Sequence, residues 1–200
     1  MRYGLLVLFS FLLHACVTGS PPVRYYLLTP TPAAASKTAS PATTPVQQPL
    51  LVIEPVELPP YLNRTHIVTR SSSNHLQLAQ FEHWGDTLRD NISRVLLENL
   101  SSQLGSNRLT PPTTLQQEKP AYRLATQISQ FELGPENRVT LQARWRLLDN
   151  QSGKTVVSEQ TLLHSDPINP ANYDAIAAAM SELLHLWCQE MVPGVGEYVR

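Results

Sequence analysis

The strictest pattern in this sequence is the alternation of apolar and polar side chains over residues 139–147. Successive side chains of a β-strand point to opposite faces, so the alternation predicts a strand with one buried and one solvated face. Residues 149–154 suit a hairpin loop and residues 155–163 a return strand. The fold should therefore contain an antiparallel sheet that is covered on one side. The apolar positions are Val139, Leu141, Ala143, Trp145 and Leu147.

A first amphipathic helix is predicted over residues 88–104, where apolar residues recur every three or four positions. Asp86 is the expected N-cap, and Gly105 is the expected C-terminal stop. Asp90 and Arg94 lie four residues apart and should pair on the solvated side.

A second helix is predicted from about Pro170 to Met191. Asn169 is placed to cap it, because Pro170 suits the first helical position. Pro193 and Gly194 are expected to end it, since proline cannot continue the backbone hydrogen bonding of a helix.

Shorter β-rich runs surround these elements and complete the predicted fold. Pro55 lies inside one of them and should place that strand at an edge or end it. In the run 122–133 the large apolar residues stand at even positions up to Ile128 and at odd positions from Phe131. This switch near Ser129 and Gln130 predicts a β-bulge. The expected fold class is α+β, a two-layer sandwich with a mostly antiparallel or mixed sheet and two helices packed on one face. The runs are 24–28, 50–58, 65–70, 76–80, 107–110 and 122–133.

The N-terminus has the layout of a bacterial secretory signal that ends in a cysteine. Arg2 supplies positive charge, residues 5–13 are apolar, and Ala15 precedes Cys16. The apolar run is shorter than the roughly 20 residues that span a bilayer. This arrangement resembles a lipobox, which implies cleavage before Cys16 and a lipid on its thiol, although an ordinary signal peptide remains the alternative. In the proteobacterial lipoproteins that this arrangement resembles, an Asp directly after the cysteine favours retention in the inner membrane. The residue here is Val17, which implies the outer membrane.

The predicted domain organisation follows from this signal. Residues 1–15 are the signal peptide, residues 16–23 carry the acylated cysteine and a tether, and residues 24–200 form a single domain. Residues 30–49 are rich in Pro, Ala, Thr and Ser and have no apolar periodicity. They form either a surface insertion, the interpretation we favour, or the true tether, in which case Tyr25 and Tyr26 lie outside the fold.

Few residues suggest catalysis or metal binding. The formal net charge is −1, which gives no argument for nucleic acid as a partner. Cys188 should be a buried thiol and not a disulfide partner of Cys16. The sequence lacks the glycine-flanked serine elbow, phosphate-binding glycine loop and paired-histidine zinc motif, so we expect no enzyme, metal or cofactor. The histidines after Cys16 show no metal-ligand spacing; they are His66, His75, His83, His164 and His185.

Some charged residues have two possible interpretations. Trp84 is expected to close the core and Glu82 to face solvent, although a catalytic role for the pair is conceivable. Arg138, Arg144 and Arg146 form either a solvated face of the sheet or a seat for lipid headgroups or an acidic partner.

Several segments together resemble one known family. Tyr25, Tyr26, Leu27 and Leu28 look like the opening strand of the PqiC/YmbA family of ABC-type transport auxiliary lipoproteins. Residues 52–70, which include the turn at 59–64, are similar to the most distinctive segment of that family. Residues 76–104 continue the resemblance, which covers most of the mature chain.

The resemblance implies an outer-membrane lipoprotein on the periplasmic face, with Cys16 as the lipid attachment site. It implies a docking role in intermembrane lipid transport, with a PqiB-like MCE-domain protein and an inner-membrane component as partners. A homo-oligomer is compatible with this role. The alternatives are a lipid-carrying module with its own apolar cavity between sheet and helices, or a membrane-tethered periplasmic hydrolase.

A surface turn is the predicted partner-binding site. It consists of Tyr61, Leu62, Asn63 and Arg64, which follow the rigid Pro59-Pro60 pair. Aromatic residues and arginine are enriched among the residues that contribute most to protein interfaces, and this composition motivates the prediction.

Overall fold

The computed structural model describes residues 21–31, 50–112 and 119–199. The signal peptide, Cys16 and most of the Pro-rich segment 30–49 lie outside the described residues. The described chain forms an eight-stranded mixed sheet with two helices against it, which confirms the predicted α+β class. The strands are β1 (Arg24–Tyr26), β2 (Leu51–Ile53), β3 (His66–Ser72), β4 (His75–Trp84), β5 (Leu109–Thr110), β6 (Tyr122–Leu133), β7 (Val139–Asp149) and β8 (Thr155–His164); the helices are α1 (Leu88–Leu104) and α2 (Tyr173–Val199).

Strand β6 joins the two parts of the curled sheet. Its full length pairs antiparallel with β7, and β7 pairs in turn with β8. On its other side the start of β6 pairs parallel with β2, and β5 lies beyond. The last residue of β6, Leu133, pairs with Thr69 of β3, and β4 and β1 follow. One strand therefore carries both halves of the sheet.

The predicted bulge in β6 is present between Ile128 and Gln130. An extra residue changes which face the following side chains occupy. Leu124 and Ile128 before the bulge and Phe131 and Leu133 after it are all buried as a result. The bulge therefore keeps the large apolar side chains of β6 on the core face, although they switch from even to odd positions.

The helices cover the face of the sheet that the alternation in β7 predicts to be buried. Trp145 and Leu147 are fully buried there, whereas Gln142, Arg144 and Arg146 are exposed on the opposite face. Each large apolar side chain that is fully buried contributes about 1.5–3 kcal/mol. The residues of α1 that close this core are Leu88, Ile92, Val95, Leu96 and Leu100.

Of the two predicted ends of α1, the C-terminal stop is confirmed and the N-cap is wrong. Gly105 terminates the helix in the left-handed conformation, with φ of 62°, as predicted. The N-cap is Thr87 and not Asp86, because the Thr87 hydroxyl accepts the Asp90 amide at 3.2 Å. The expected ion pair of Asp90 with Arg94 is also replaced, since Arg94 pairs with Glu98 at 3.1 Å.

Helix α2 begins later and ends later than predicted. Asn172, not Asn169, caps it by accepting the Ala175 amide at 3.1 Å. The helix continues through Pro193 to Val199, although the proline removes one backbone hydrogen bond. Burial of Val195 and Val199 stabilises this continuation, which the local sequence alone does not reveal.

The first strand belongs to the fold. β1 pairs parallel with β4, so Tyr25 and Tyr26 lie in the sheet and not in a free tether. The residues after β1 contact both helices. Leu28 is fully buried, and the Thr31 amide donates to the side-chain oxygen of Asn99 on α1 at 3.1 Å. The Thr29 amide likewise donates to the Ser181 hydroxyl on α2 at 3.1 Å.

The run 50–58 forms a strand that ends before Pro55, which is one of the two outcomes predicted for it. β2 ends at Ile53, and the chain continues past the proline with an isolated bridge between Glu57 and Gln127 of β6. Since proline lacks a backbone donor, the regular ladder stops before it. The prolines at 59 and 60 then turn the chain toward β3.

Candidate docking surface

The predicted turn contains two anchors and two exposed residues. Leu62 is fully buried in the core and Tyr61 is half-buried, whereas Asn63 and Arg64 are exposed. The Leu62 amide donates to the Pro59 carbonyl at 3.0 Å, which closes the turn. The prediction named all four residues, but only Asn63 and Arg64 present their side chains freely to a partner.

The phenol of Tyr61 ties the turn to a buried carboxylate. Its hydroxyl donates to Oε2 of Glu132 at 3.0 Å, and Glu132 is fully buried near the end of β6. The Phe131 amide donates to the same oxygen at 3.0 Å, and Nε of Arg70 donates to Oε1 at 2.7 Å. A buried charge is tolerable only when it is paired and hydrogen-bonded, and Glu132 is both.

The environment of Tyr61 keeps its hydroxyl protonated. Burial first, and then the negative charge of Glu132, raise the pKa of Tyr61 to about 12. The guanidinium of Arg70 lies over the same ring, 5.8 Å from its centroid. At neutral pH the phenol is therefore a permanent donor, and Tyr61 fixes the turn in place instead of meeting a partner directly.

Two surface grooves adjoin this part of the molecule. One, of about 590 Å³, lies between Pro59, Pro60, Arg89 and the β6 bulge at Ser129. The other, of about 540 Å³, lies on the outer face of β6, β7 and β8. Both include Gln127 and Ser129, so the two grooves adjoin each other at β6. The second groove is lined mainly by Gln127, Gln142, Arg144, Gln160 and Leu162.

The three arginines on this side of the sheet do not act alike. Arg144 and Arg146 are exposed on the outer face of β7, and Arg144 donates to the side chain of Gln127. Arg138 instead donates to the Ser165 carbonyl at 2.8 Å and lies 3.9 Å from Asp166. A row of three equivalent cations is therefore not present, and of these three arginines Arg144 and Arg146 lie exposed on the outer face.

Glu82 contradicts its prediction. It was expected to face solvent, but it is buried and pairs with the guanidinium of Arg24 on β1. The Tyr26 hydroxyl also donates to Glu82 at 2.7 Å. The hydrogen bond from Arg24, followed by that from Tyr26, holds the pKa of Glu82 below its ordinary value. Trp84 is buried, as predicted.

A metal-binding cluster is not found within residues 21–31, 50–112 and 119–199. No cluster of three or more His, Cys, Asp or Glu residues in these ranges could hold a metal ion. Cys188 is free and fully buried, and burial raises the pKa of its thiol. Nδ1 of His185 lies 3.1 Å from the side-chain amide nitrogen of Gln103.

The layer between sheet and helices is filled by side chains. Trp145 of β7 belongs to the same cluster of fully buried residues as Leu184, Trp187 and Met191 of α2. Gly194 approaches the Trp145 ring so closely that an added Cβ would lie 2.9 Å from Cη2. This packing speaks against an acyl-chain cavity between the described sheet and helices.

Sequence reasoning missed two ion pairs, in each of which an arginine pairs with a buried glutamate. Arg24 and Glu82 are separated by 58 positions, and Arg70 and Glu132 by 62. No local pattern connects residues so far apart. A charged residue among buried neighbours, such as Glu132 between Phe131 and Leu133, is the one signal that could have drawn attention to them.

No helix in the described chain has the length and apolar character needed to cross a membrane. The predicted lipid site Cys16 lies outside the described residues, so its acylation stays a prediction.

Comparison with known proteins gives a consistent assignment. A family model described as ABC-type transport auxiliary lipoprotein component matches residues 25–192. An uncharacterised protein of known crystal structure has a TM-score of 0.70 at 18% identity and covers 88% of this chain and 99% of its own. Protein XCC0632 from Xanthomonas campestris has a TM-score of 0.67 at 17% identity, covering 88% of this chain and 96% of its own. No curated protein matches the chain.

Proposed function

Because the chain belongs to the family of ABC-type transport auxiliary lipoprotein components, we propose that it is a non-catalytic docking component of an MCE-type intermembrane lipid transport system. In this proposal the protein is held on the periplasmic face of the outer membrane through a lipid on Cys16. Its partners are an MCE-domain protein and, through that protein, an inner-membrane component.

The observation that carries the proposal is the way in which the exposed pair Asn63 and Arg64 is held. Leu62 is embedded in the core, and Tyr61 is hydrogen-bonded to the buried Glu132. The two exposed residues therefore protrude from a fixed backbone. Binding by a rigid turn loses less conformational entropy than binding by a mobile loop, and this lower cost favours recognition.

The chemistry of the turn defines the kind of surface that it fits. Arg64 is exposed and forms no ion pair within the described residues. A guanidinium presents several donors in a planar fork, which matches carboxylates and carbonyl oxygens. Asn63 beside it can both donate and accept. A partner surface with an acidic side chain or free backbone carbonyls is therefore complementary.

Anchoring supports the same role. The chain has a lipobox-like sequence before Cys16, and the matching family is described as a lipoprotein component. Val17, which is not Asp, supports the outer membrane over the inner membrane as the address. A body fixed at one membrane is suited to receive a partner that extends from the other.

Affinity purification from solubilised envelope tests the docking proposal. The tagged protein is compared with the double variant Asn63→Ala/Arg64→Ala and with a matched control, Arg146→Ala, which removes an equally exposed cation from β7. We expect the double variant to lose the MCE-domain protein while the control retains it. Equal recovery with all three proteins, or loss with the control alone, would contradict the role of the turn.

A further inference from the structure

An apolar row lies exposed on the first strand. Val23, Tyr25 and Leu27 have 40%, 68% and 53% of their surface accessible, whereas Tyr26 and Leu28 between and after them face inward. Val23 and Leu27 flank β1, and the alternation of an extended chain places them on the same side as Tyr25. We refer to Val23, Tyr25 and Leu27 as the β1 outer row.

Rings of neighbouring strands extend this surface. The Tyr25 ring meets the His83 ring edge-on, with centroids 5.9 Å apart, and His83 in turn meets His66 at 4.4 Å. These residues belong to β1, β4 and β3, so the rings cross three adjacent strands. Rings with an apolar body and a polar edge are typical of side chains at the boundary between hydrocarbon and water.

The row is held firmly from its inward side. The ion pair of Arg24 with Glu82 and the hydrogen bond of Tyr26 with the same carboxylate fix β1 on β4. The Gly85 amide donates to the Tyr26 carbonyl at 2.8 Å, and Leu27 packs over Gly85. The outer row is therefore a fixed feature of the folded body.

The length of chain before the row indicates what covers it. Val23 comes seven positions after Cys16, and a fully extended chain gains at most about 3.6 Å per residue. If Cys16 carries a lipid, Val23 at the start of the row cannot lie more than about 25 Å from the membrane surface. An exposed apolar patch so close to a bilayer can be buried against the lipid surface.

We propose that the β1 outer row lies against the bilayer surface and orients the body on the membrane. The inference rests on the lipid anchor of the proposed function but not on the docking partner.

Site-specific fluorescence tests this orientation independently of acylation. The mature chain carries a hexahistidine tag in place of Cys16 and is held on phosphatidylethanolamine–phosphatidylglycerol vesicles that contain a nickel-chelating lipid. A single cysteine at Tyr25→Cys or Leu27→Cys carries an environment-sensitive dye, while the native Cys188 is fully buried. The matched control is Leu162→Cys on β8, where the native side chain is 59% accessible.

The dyes at 25 and 27 should shift to shorter emission wavelength on vesicles and be quenched by lipids brominated in their acyl chains. The dye at 162 should do neither. Equal behaviour at all three positions would overturn the proposal. A shift at 25 and 27 without quenching would also overturn it, because it indicates a second copy or another protein on the row. Acylation and co-purification are measured separately, so failure here leaves the docking proposal intact.

Discussion

Arg70 and Glu132 form an ion pair with Nε and Oε1 2.7 Å apart, beside the single backbone pairing of Thr69 with Leu133 that joins β3 to β6. The two halves of the sheet meet at this point with little regular ladder between them. The ion pair and the Tyr61 hydroxyl therefore supply much of the specific connection that a longer ladder would otherwise provide.

Arg70→Ala should lower the free energy of unfolding by about 3–5 kcal/mol, because it leaves the carboxylate of Glu132 buried without its cation. Urea unfolding followed by circular dichroism measures the change. Glu98→Ala is the matched control: it breaks the exposed pair of Arg94 with Glu98 and should cost at most about 0.5 kcal/mol. Similar losses for both variants would show that the buried pair has no special role.

Tyr61→Phe keeps the ring and removes the hydroxyl that donates to Glu132. A hydrogen bond to a charged group contributes about 1.5–3 kcal/mol, so the free energy of unfolding of the variant should fall by about that amount. The midpoint of urea unfolding should move to a lower concentration. Co-purification of the partner should persist under native conditions, since Asn63 and Arg64 remain. Loss of the partner from a variant that is otherwise fully folded would instead assign Tyr61 a direct contact.

Glu82 should make stability depend on acid. Its pKa lies below the ordinary value of 4.5 in the folded protein, chiefly through the hydrogen bond from Arg24. Its contribution to the free energy of unfolding is therefore complete above about pH 4.5 and is lost as the pH falls through the folded pKa. Between about pH 6 and pH 3 the native protein should lose more stability than Glu82→Gln. Urea titrations at several pH values measure this loss, and Glu159→Gln, at an exposed position, is the control. If the free energy of unfolding fell with pH equally for the native protein and Glu82→Gln, the prediction would be contradicted.

Gly194→Ala should destabilise the protein by about 1–3 kcal/mol, because a Cβ there would lie 2.9 Å from the Trp145 ring. Gly134→Ala is the matched control, since the nearest atom to its added Cβ is 3.6 Å away. Thermal unfolding of both variants provides the comparison. Equal melting temperatures would mean that helix α2 can shift away from β7 without cost.

The sequence predicted those parts of the fold that depend on local periodicity. The alternation around Trp145, the parity change at Ser129 and the stop at Gly105 each have a cause within a few residues. The continuation of α2 past Pro193 was missed, because burial of Val195 and Val199 against distant elements outweighs the local cost of the proline.

The exposure of the turn was predictable from the sequence, but the different roles of its residues were not, and its use in docking stays a prediction. The composition of residues 61–64 indicated a rigid exposed turn, and Asn63 and Arg64 are exposed. That Tyr61 serves as an anchor depends on Glu132, which lies 71 positions away. Likewise, the solvent exposure expected of Glu82 from its neighbours was reversed by Arg24, which only the parallel pairing of β1 with β4 brings close.

The anchor on which the proposed role depends is tested most directly by intact-mass and N-terminal peptide analysis of the protein isolated from outer-membrane fractions. The proposal predicts a chain that begins at Cys16 and carries a diacylglyceryl group and an N-terminal acyl chain on that residue. A chain that retains residues 1–15, or one that is released with an unmodified Cys16, would contradict the account.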